Sequence, residues 1–248
     1  MWIYYGHSLN GIRGSRHHCQ AVFLTVNSMY SRFKMVFRLL KEGLDPGQIV
    51  SLLTLRNALD GSEDILDVGC GKINNMRRLG VTHSTGVDGY APYLEEAKKK
   101  NLHDQYVLGD VRTLEKYFQP GQFDTVLALD VIEHLTKEDG LRMMQSMEKI
   151  ARRKVVFSTP SGFLPQKNYE NNDLQEHLSG WEAAEMERYG YKVIGVLGPK
   201  CLRGELHLLK GRPKFFWGGI SLLGHFFWTR WAPSQAAAIL CVKTKSGS

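Results

Sequence analysis

Cysteine is scarce in this 248-residue sequence, and the four present, Cys19, Cys70, Cys201 and Cys241, stand far apart. No pair has CxxC spacing and no histidine sits near them at ligand spacing. A zinc site or disulfide framework is therefore not expected, and no metal ligand is assigned. Reduced thiols in a cytoplasmic compartment are the simple reading. The N-terminus, MWIYYGHSLNGIRGSRHH, lacks a charged region followed by an apolar stretch, so no signal peptide is expected. Low-complexity tracts and internal repeats are missing too. With 43% apolar and 23% charged residues, the composition excludes a disordered or fibrous chain. Acid is nearly missing from one end. Residues 199–248 carry eight basic and one acidic side chain, net +7, whereas residues 61–198 carry −4 and residues 1–60 carry +4. The overall charge of +7 is thus a property of the flanks. That weakens any case for nucleic-acid binding by the whole domain and points to a local surface.

The length accommodates one sizeable core. After a start without clear periodicity, residues 27–42 place Met29, Phe33, Val36, Phe37 and Leu40 on one helical stripe. Gly43 fits a helix stop, and Asp45-Pro46 fits a second start, with Asp as cap and Pro at the first helical position. That second helix is expected to end near Leu59. From residue 63, short apolar runs alternate with amphipathic stretches. The runs are Ile65–Val68, Ser84–Val87, Tyr106–Leu108, Thr125–Leu129, Val155–Ser158, Lys192–Val196 and Ala237–Val242. Strands that are apolar on both faces and alternate with helices predict an α/β fold, a mostly parallel sheet with helices on both sides. The chain therefore divides into an N-terminal helical extension, residues 1–60, and a main domain, residues 61–248.

The strongest local signal is ILDVGCGKIN, Ile65 to Asn74. A buried strand ends at Asp67-Val68 and turns through Gly69-Cys70-Gly71. Glycines there permit a tight turn and let a ligand lie against bare backbone. Asp88 ends the next strand, 19 residues after Gly69. That is close to the spacing of roughly 20 residues expected of an acid that binds ribose hydroxyls. The third glycine of a dinucleotide fingerprint is replaced by Asn74, which argues against NAD and for an adenosine ligand without a pyrophosphate.

The run LDVGCG, the acid of GVDGY, LGDV at 108–111 and FDTVLALDVIEHL at 123–135 together resemble class I S-adenosylmethionine-dependent methyltransferases, most of all the methyltransferase type 11 group. The resemblance spans about residues 60–198 and returns at 236–243. It implies a Rossmann-like sheet of seven strands with the last antiparallel, and S-adenosylmethionine as cofactor. Carried over by position, Asp67, Gly69, Cys70 and Gly71 would line the methionine and sugar. Asp88 would accept from both ribose hydroxyls. Asp110 would meet the adenine amino group and Val111 the ring. Leu129 and Asp130 would face the sulfonium. Each acid has a bland alternative as a helix cap or a solvated carboxylate. One departure is Ile73, where the family usually has glycine; a β-branched residue there is expected to narrow the methionine end of the pocket.

An oxygen acceptor must lose a proton, and two histidines are candidates to take it: His134 in DVIEHL and His177 in NNDLQEHLSGW. The plain alternative for His134 is packing at the start of the next helix. The implied function is methyl transfer to an oxygen, less readily a nitrogen or carbon, of a small-molecule or lipid- or sugar-linked acceptor. An RNA methyltransferase is an alternative, although ALDVIEHL stands where an NPPY-like motif would support it. A cofactor-binding protein without catalysis is another, supported by Ile73.

Residues 199–235 form an unusually long connection between the last two strands. Its run Phe215–Trp228 has 14 residues without charge, short of the ~20 needed to span a bilayer. Phe216, Ile220, Leu223, Phe227 and Trp231 fall on one helical side; Gly218, Ser221, His225 and Thr229 fall on the other. Lys210, Arg212, Lys214 and Arg230 flank the run. Two readings stay open for residues 213–231: peripheral contact with an anionic membrane surface, or packing as a lid, core element or dimer surface. Nucleic acid is disfavoured, because the basic residues bracket the aromatics and do not alternate with them. Oligomeric state is not legible.

Overall fold

The computed structural model describes residues 36, 39–73, 76–167, 172–204 and 207–245. The chain divides into two compact units, residues 1–44 and 45–248. Most of the helix expected at 27–42 lies outside the described residues. Its described end, Leu39–Lys41, is helical and stops as expected, with Gly43 at φ +84° and its N–H donating to the Leu40 carbonyl at 3.1 Å.

The second unit opens with helix α1, Pro46–Ala58. Asp45 caps it, its Oδ1 accepting from the Gly47 and Gln48 N–H groups while the Gln48 side chain accepts from the Asp45 N–H. There follow β1 (Asp64–Val68), β2 (His83–Asp88), α2 (Ala91–Lys99), β3 (Gln105–Leu108), β4 (Phe123–Leu129), α3 (Lys137–Ile150), β5 (Ala151–Pro160), α4 (Ala183–Arg188), β6 (Lys192–Pro199), α5 (Lys214–Gly224) and β7 (Ala236–Thr244). The seven strands form one sheet in the order β3-β2-β1-β4-β5-β7-β6, and β7 runs antiparallel to both of its neighbours. This is the mostly parallel α/β sheet that the alternating pattern predicts, with the seven strands, Rossmann-like order and antiparallel last strand that the resemblance implies.

Ile65, Leu66 and Val68 of β1 have no solvent exposure, as expected of a central strand covered on both faces. Each such side chain contributes about 1.5–3 kcal/mol by burial. α3 turns Met143, Met147 and Ile150 onto the sheet, where they meet Phe157 and Ile239 in one cluster. Thr136 caps its first turn, which also holds Glu138 and Asp139.

The fold corrects one boundary. α1, assigned from sequence to the extension, packs on β6 and α5, so the body begins near residue 45. It also decides how the long connection sits. α5 and the wider turn His225–Thr229 lay their small and polar side on the body, with Gly218, Ser221, His225 and Thr229 buried. The reason is close approach. The Thr229 carbonyl occupies the place where a Cβ on Gly195 would stand, and a Cβ on Gly218 would meet Pro46 Cδ at 2.6 Å. No large side chain fits between these surfaces. The aromatic side is left outward: Phe215 is 78% exposed, Phe227 83% and Trp231 78%. Packing of that aromatic stripe into the core is therefore excluded within the described residues. No helix among them is long and apolar enough to cross a membrane.

Candidate active site

β1 and β4 lie side by side, Val68 opposite Ala128, and the chain order reverses between them. A crevice at the carboxyl ends of strands at such a reversal is where an open α/β sheet binds its ligand. On the β1 side, Gly69 and Gly71 have φ of +66° and +57°. A Cβ at Gly69 would stand 2.6 Å from Val131 in the loop after β4, so glycine lets the two loops touch. At Gly71 the corresponding space is empty to 4 Å. Asp88 organises this turn, accepting the Gly71 N–H at Oδ2 and the Tyr90 N–H at Oδ1, both at 2.8 Å. Each oxygen keeps a further lone pair, which suits two ribose hydroxyls. Burial pushes the Asp88 carboxyl above its ordinary pKa, against the pull of those two N–H groups. The open cradle at Gly71 beside this carboxylate fits an adenosine ligand.

Three expectations change. Asp67 is fully buried beneath the turn with its Oδ2 3.4 Å from His103 Nε2, so its side chain does not line the crevice. Burial drives His103 down to about pKa 4, leaving its ring neutral at pH 7. The Cys70 side chain is buried as well, against the Gly86 backbone, and offers a ligand only its main chain. Asp110 takes the cap role. Its oxygens accept the Arg112 N–H and bind the Arg112 guanidinium at 2.6–3.0 Å, which leaves little capacity for an adenine amino group. Ile73 is 78% exposed, so its side chain is free of the core. Val111 is half-buried against the core cluster, next to Asp110.

On the β4 side, Leu129 is half-buried at the strand end and Asp130 adopts φ +54°, its Oδ1 held by the Ser158 hydroxyl at 2.9 Å. Beyond it, a strap comprising residues 176–181 ties two loops together. The Leu178 and Ser179 N–H groups both donate to the Glu133 carbonyl, and Trp181 Nε1 donates to Ser179 Oγ. Trp181 is fully buried and anchors the strap, with Lys137 Nζ 3.7 Å from its ring centre. This gives EHLSGW a structural role.

The strap brings His134 and His177 together, ring centres 4.7 Å apart. His134 Nδ1 lies 3.1 Å from the Glu176 carbonyl and His177 Nδ1 lies 2.6 Å from the Leu164 carbonyl. A carbonyl only accepts, so each Nδ1 carries the hydrogen and each Nε2 keeps its lone pair. Burial holds both rings below the ordinary histidine pKa. Two residues escaped sequence reasoning. Glu133 is buried and accepts the Thr159 hydroxyl at 3.0 Å; desolvation, helped by Asp130, raises its carboxyl well above the usual range. Its only sequence signal is its place beside His134. His207, in the long connection, lies close enough to Asp130 and His177 to feel both charges, although desolvation is the larger cause of its lowered pKa. Nothing in its sequence neighbourhood marks it.

Residues 66–158 match a family described as a methyltransferase domain. A structure described as a SAM dependent methyltransferase from Archaeoglobus fulgidus is 15% identical, with a TM-score of 0.52 over 79% of this chain and 92% of that one. The methyltransferase solved in complex with the Haloferax volcanii Trm112 activator is 14% identical, with a TM-score of 0.51 over 79% and 89%. At these identities the two structures speak for the fold. No curated protein matches the sequence.

Proposed function

We propose that this chain is a class I S-adenosylmethionine-dependent methyltransferase, a reading supported by the methyltransferase-domain match over residues 66–158, and that it methylates a hydroxyl oxygen of a lipid- or sugar-linked acceptor at a membrane surface. S-adenosylmethionine supplies an electrophilic methyl; overall, an O–H bond and an S–C bond give way to an O–CH3 bond, a neutral thioether and a released proton. Asp88 would hold the ribose, the Gly69–Gly71 main chain the methionine portion, Val111 the adenine ring, and Leu129 with Asp130 the end nearest the acceptor.

The observation that carries the oxygen reading is the polar wall after β4. His134 and His177 present paired Nε2 lone pairs there, each ring fixed by its Nδ1–H···O=C bond. A hydroxyl proton finds its acceptor in such a wall. The membrane setting is supported by α5 and the turn that follows it, which leave Phe215, Phe216, Leu223, Phe227 and Trp231 to solvent between Lys210, Lys214 and Arg230. Aromatics outward with basic flanks suit an interface rich in anionic lipid.

Calorimetry is expected to give micromolar S-adenosylmethionine binding that weakens about a hundredfold in Asp88→Ala, as loss of two hydrogen bonds to a charged group implies. Absence of binding to the unaltered protein overturns the reading. For the acceptor, sedimentation with phosphatidylserine vesicles should retain the protein and release Phe216→Asp/Phe227→Asp. With isotope-labelled methyl donor and a lipid extract, label should enter the organic phase; label confined to water-soluble products removes the lipid acceptor.

A further inference from the structure

We propose that Glu133, His134 and His177 form a binding site for one divalent transition-metal cation at the reacting end of β4. One donor atom from each residue lies within 4.8 Å of the others. Metal–ligand bonds of about 2.1 Å at tetrahedral angles require donors about 3.4 Å apart, which small side-chain rotations supply. The three residues come from two chain segments, 133–134 and 177, that the strap fastens through the Glu133 carbonyl. The site is therefore built into the fold.

The surroundings of each group are those of a ligand. A metal-binding imidazole commonly donates its second nitrogen to a carbonyl, which fixes the tautomer and aims the lone pair; ligating carboxylates are hydrogen-bonded in turn. His134 donates to Glu176, His177 to Leu164, and Glu133 accepts from Thr159. In both imidazoles the bonded atom is Nδ1, which leaves Nε2 and its lone pair for a cation. His134 is half-buried, so one side of the triangle is reachable. Two imidazoles and one carboxylate suit Zn²⁺, Mn²⁺, Fe²⁺ or Co²⁺ better than the all-oxygen preference of Ca²⁺ or Mg²⁺. Three protein ligands leave a coordination position open.

Placed there, the cation takes over the proton-releasing part that the methyl-transfer reading, on which its purpose rests, gives to the histidine lone pairs. A hydroxyl oxygen entering the open position is polarised and loses its proton to solvent more readily. The imidazoles then act as ligands, and Asp130 lies nearby to order the acceptor.

The test is calorimetric titration of the metal-free full chain with Zn²⁺, Mn²⁺ and Co²⁺ separately, with S-adenosylhomocysteine titrated in parallel. The expected result is one cation per chain for at least one of the three. Affinity should weaken at least a hundredfold in His134→Ala/His177→Ala and at least tenfold in the milder Glu133→Gln and His177→Gln. S-adenosylhomocysteine affinity should stay unchanged in all, which also reports folding. The His17-His18 pair near the N-terminus is the natural competitor, so His17→Ala/His18→Ala should keep full affinity. No saturable binding overturns the site, as does binding that survives the double histidine variant or is lost in the N-terminal one. Cation binding without S-adenosylhomocysteine binding supports the site and overturns the methyl-transfer reading; the converse overturns the site alone.

Discussion

Two regions of this molecule are held together by opposite means. The β1–β2 side is organised by bare backbone: Gly69 and Gly71 turn without side chains, and Asp88 collects two N–H groups. The long connection before β7 is organised by one buried side chain. Arg203 donates to the Leu197 and His207 carbonyls, binds both oxygens of the α1 cap Asp45 at 2.7 and 3.0 Å, and reaches Ser221 on α5. A ligand cradle made of backbone is sensitive to added bulk. A docked element made around a charge is sensitive to its removal and indifferent to what it shows the solvent.

Removing that charge should have the largest effect. Arg203→Met leaves Asp45 without its partner in a nearly dry setting, and about 3–5 kcal/mol of stability should go. Urea unfolding checks this, and Asp45→Asn/Arg203→Met should recover part of the loss, since asparagine still caps α1. If the single variant unfolds like the unaltered protein, the connection is held by its packing alone.

Next comes acid. His103 is neutral in the fold, with a pKa of about 4 against 6.5 for an unperturbed histidine. Below pH 6.5 the unfolded chain takes up a proton that the folded chain refuses. The stability it contributes is complete above pH 6.5 and falls as the pH drops toward 4, by about 3 kcal/mol at the lower end. Unfolding curves across that range should slope less in His103→Gln; identical slopes would show that other groups govern acid sensitivity on this side.

A smaller loss, about 2 kcal/mol, is expected for Gly69→Ala, where a positive φ and the Val131 side chain both oppose a methyl group. Thermal melts measure it, and a weaker S-adenosylhomocysteine affinity should accompany it. Smallest of all, Phe216→Asp/Phe227→Asp should leave stability within about 0.5 kcal/mol per site, because both rings already face solvent. A large destabilisation would mean that the aromatic face is covered.

The sequence makes the first side legible and the second only in outline. Strand positions, the Asp45-Pro46 start, the Gly69–Gly71 turn and Asp88 all follow from local rules about periodicity, caps and backbone freedom. His134 and His177 are legible one at a time, yet their meeting depends on the strap between Glu133 and Ser179, a pairing no spacing announces. Asp67 and Asp110 look alike as strand-end acids, and only three-dimensional neighbours separate a buried carboxylate beside His103 from one clasped by Arg112. The helix of the long connection shows two faces in its periodicity. Which face turns inward is settled by Gly195 and Pro46, which contribute nothing to that periodicity and leave room only for the small side.

The strap has a consequence for how such an enzyme is retuned. Because Glu133, His134 and His177 are lashed through shared main-chain bonds and a buried Trp181, they shift as a unit or not at all. The loop at 163–167 belongs to the same clamp, because the Leu164 carbonyl accepts from His177 Nδ1 and the Gln166 carbonyl from the His177 N–H. What the clamp grips can then be changed only from outside it, as new jaws are fitted to a fixed vice.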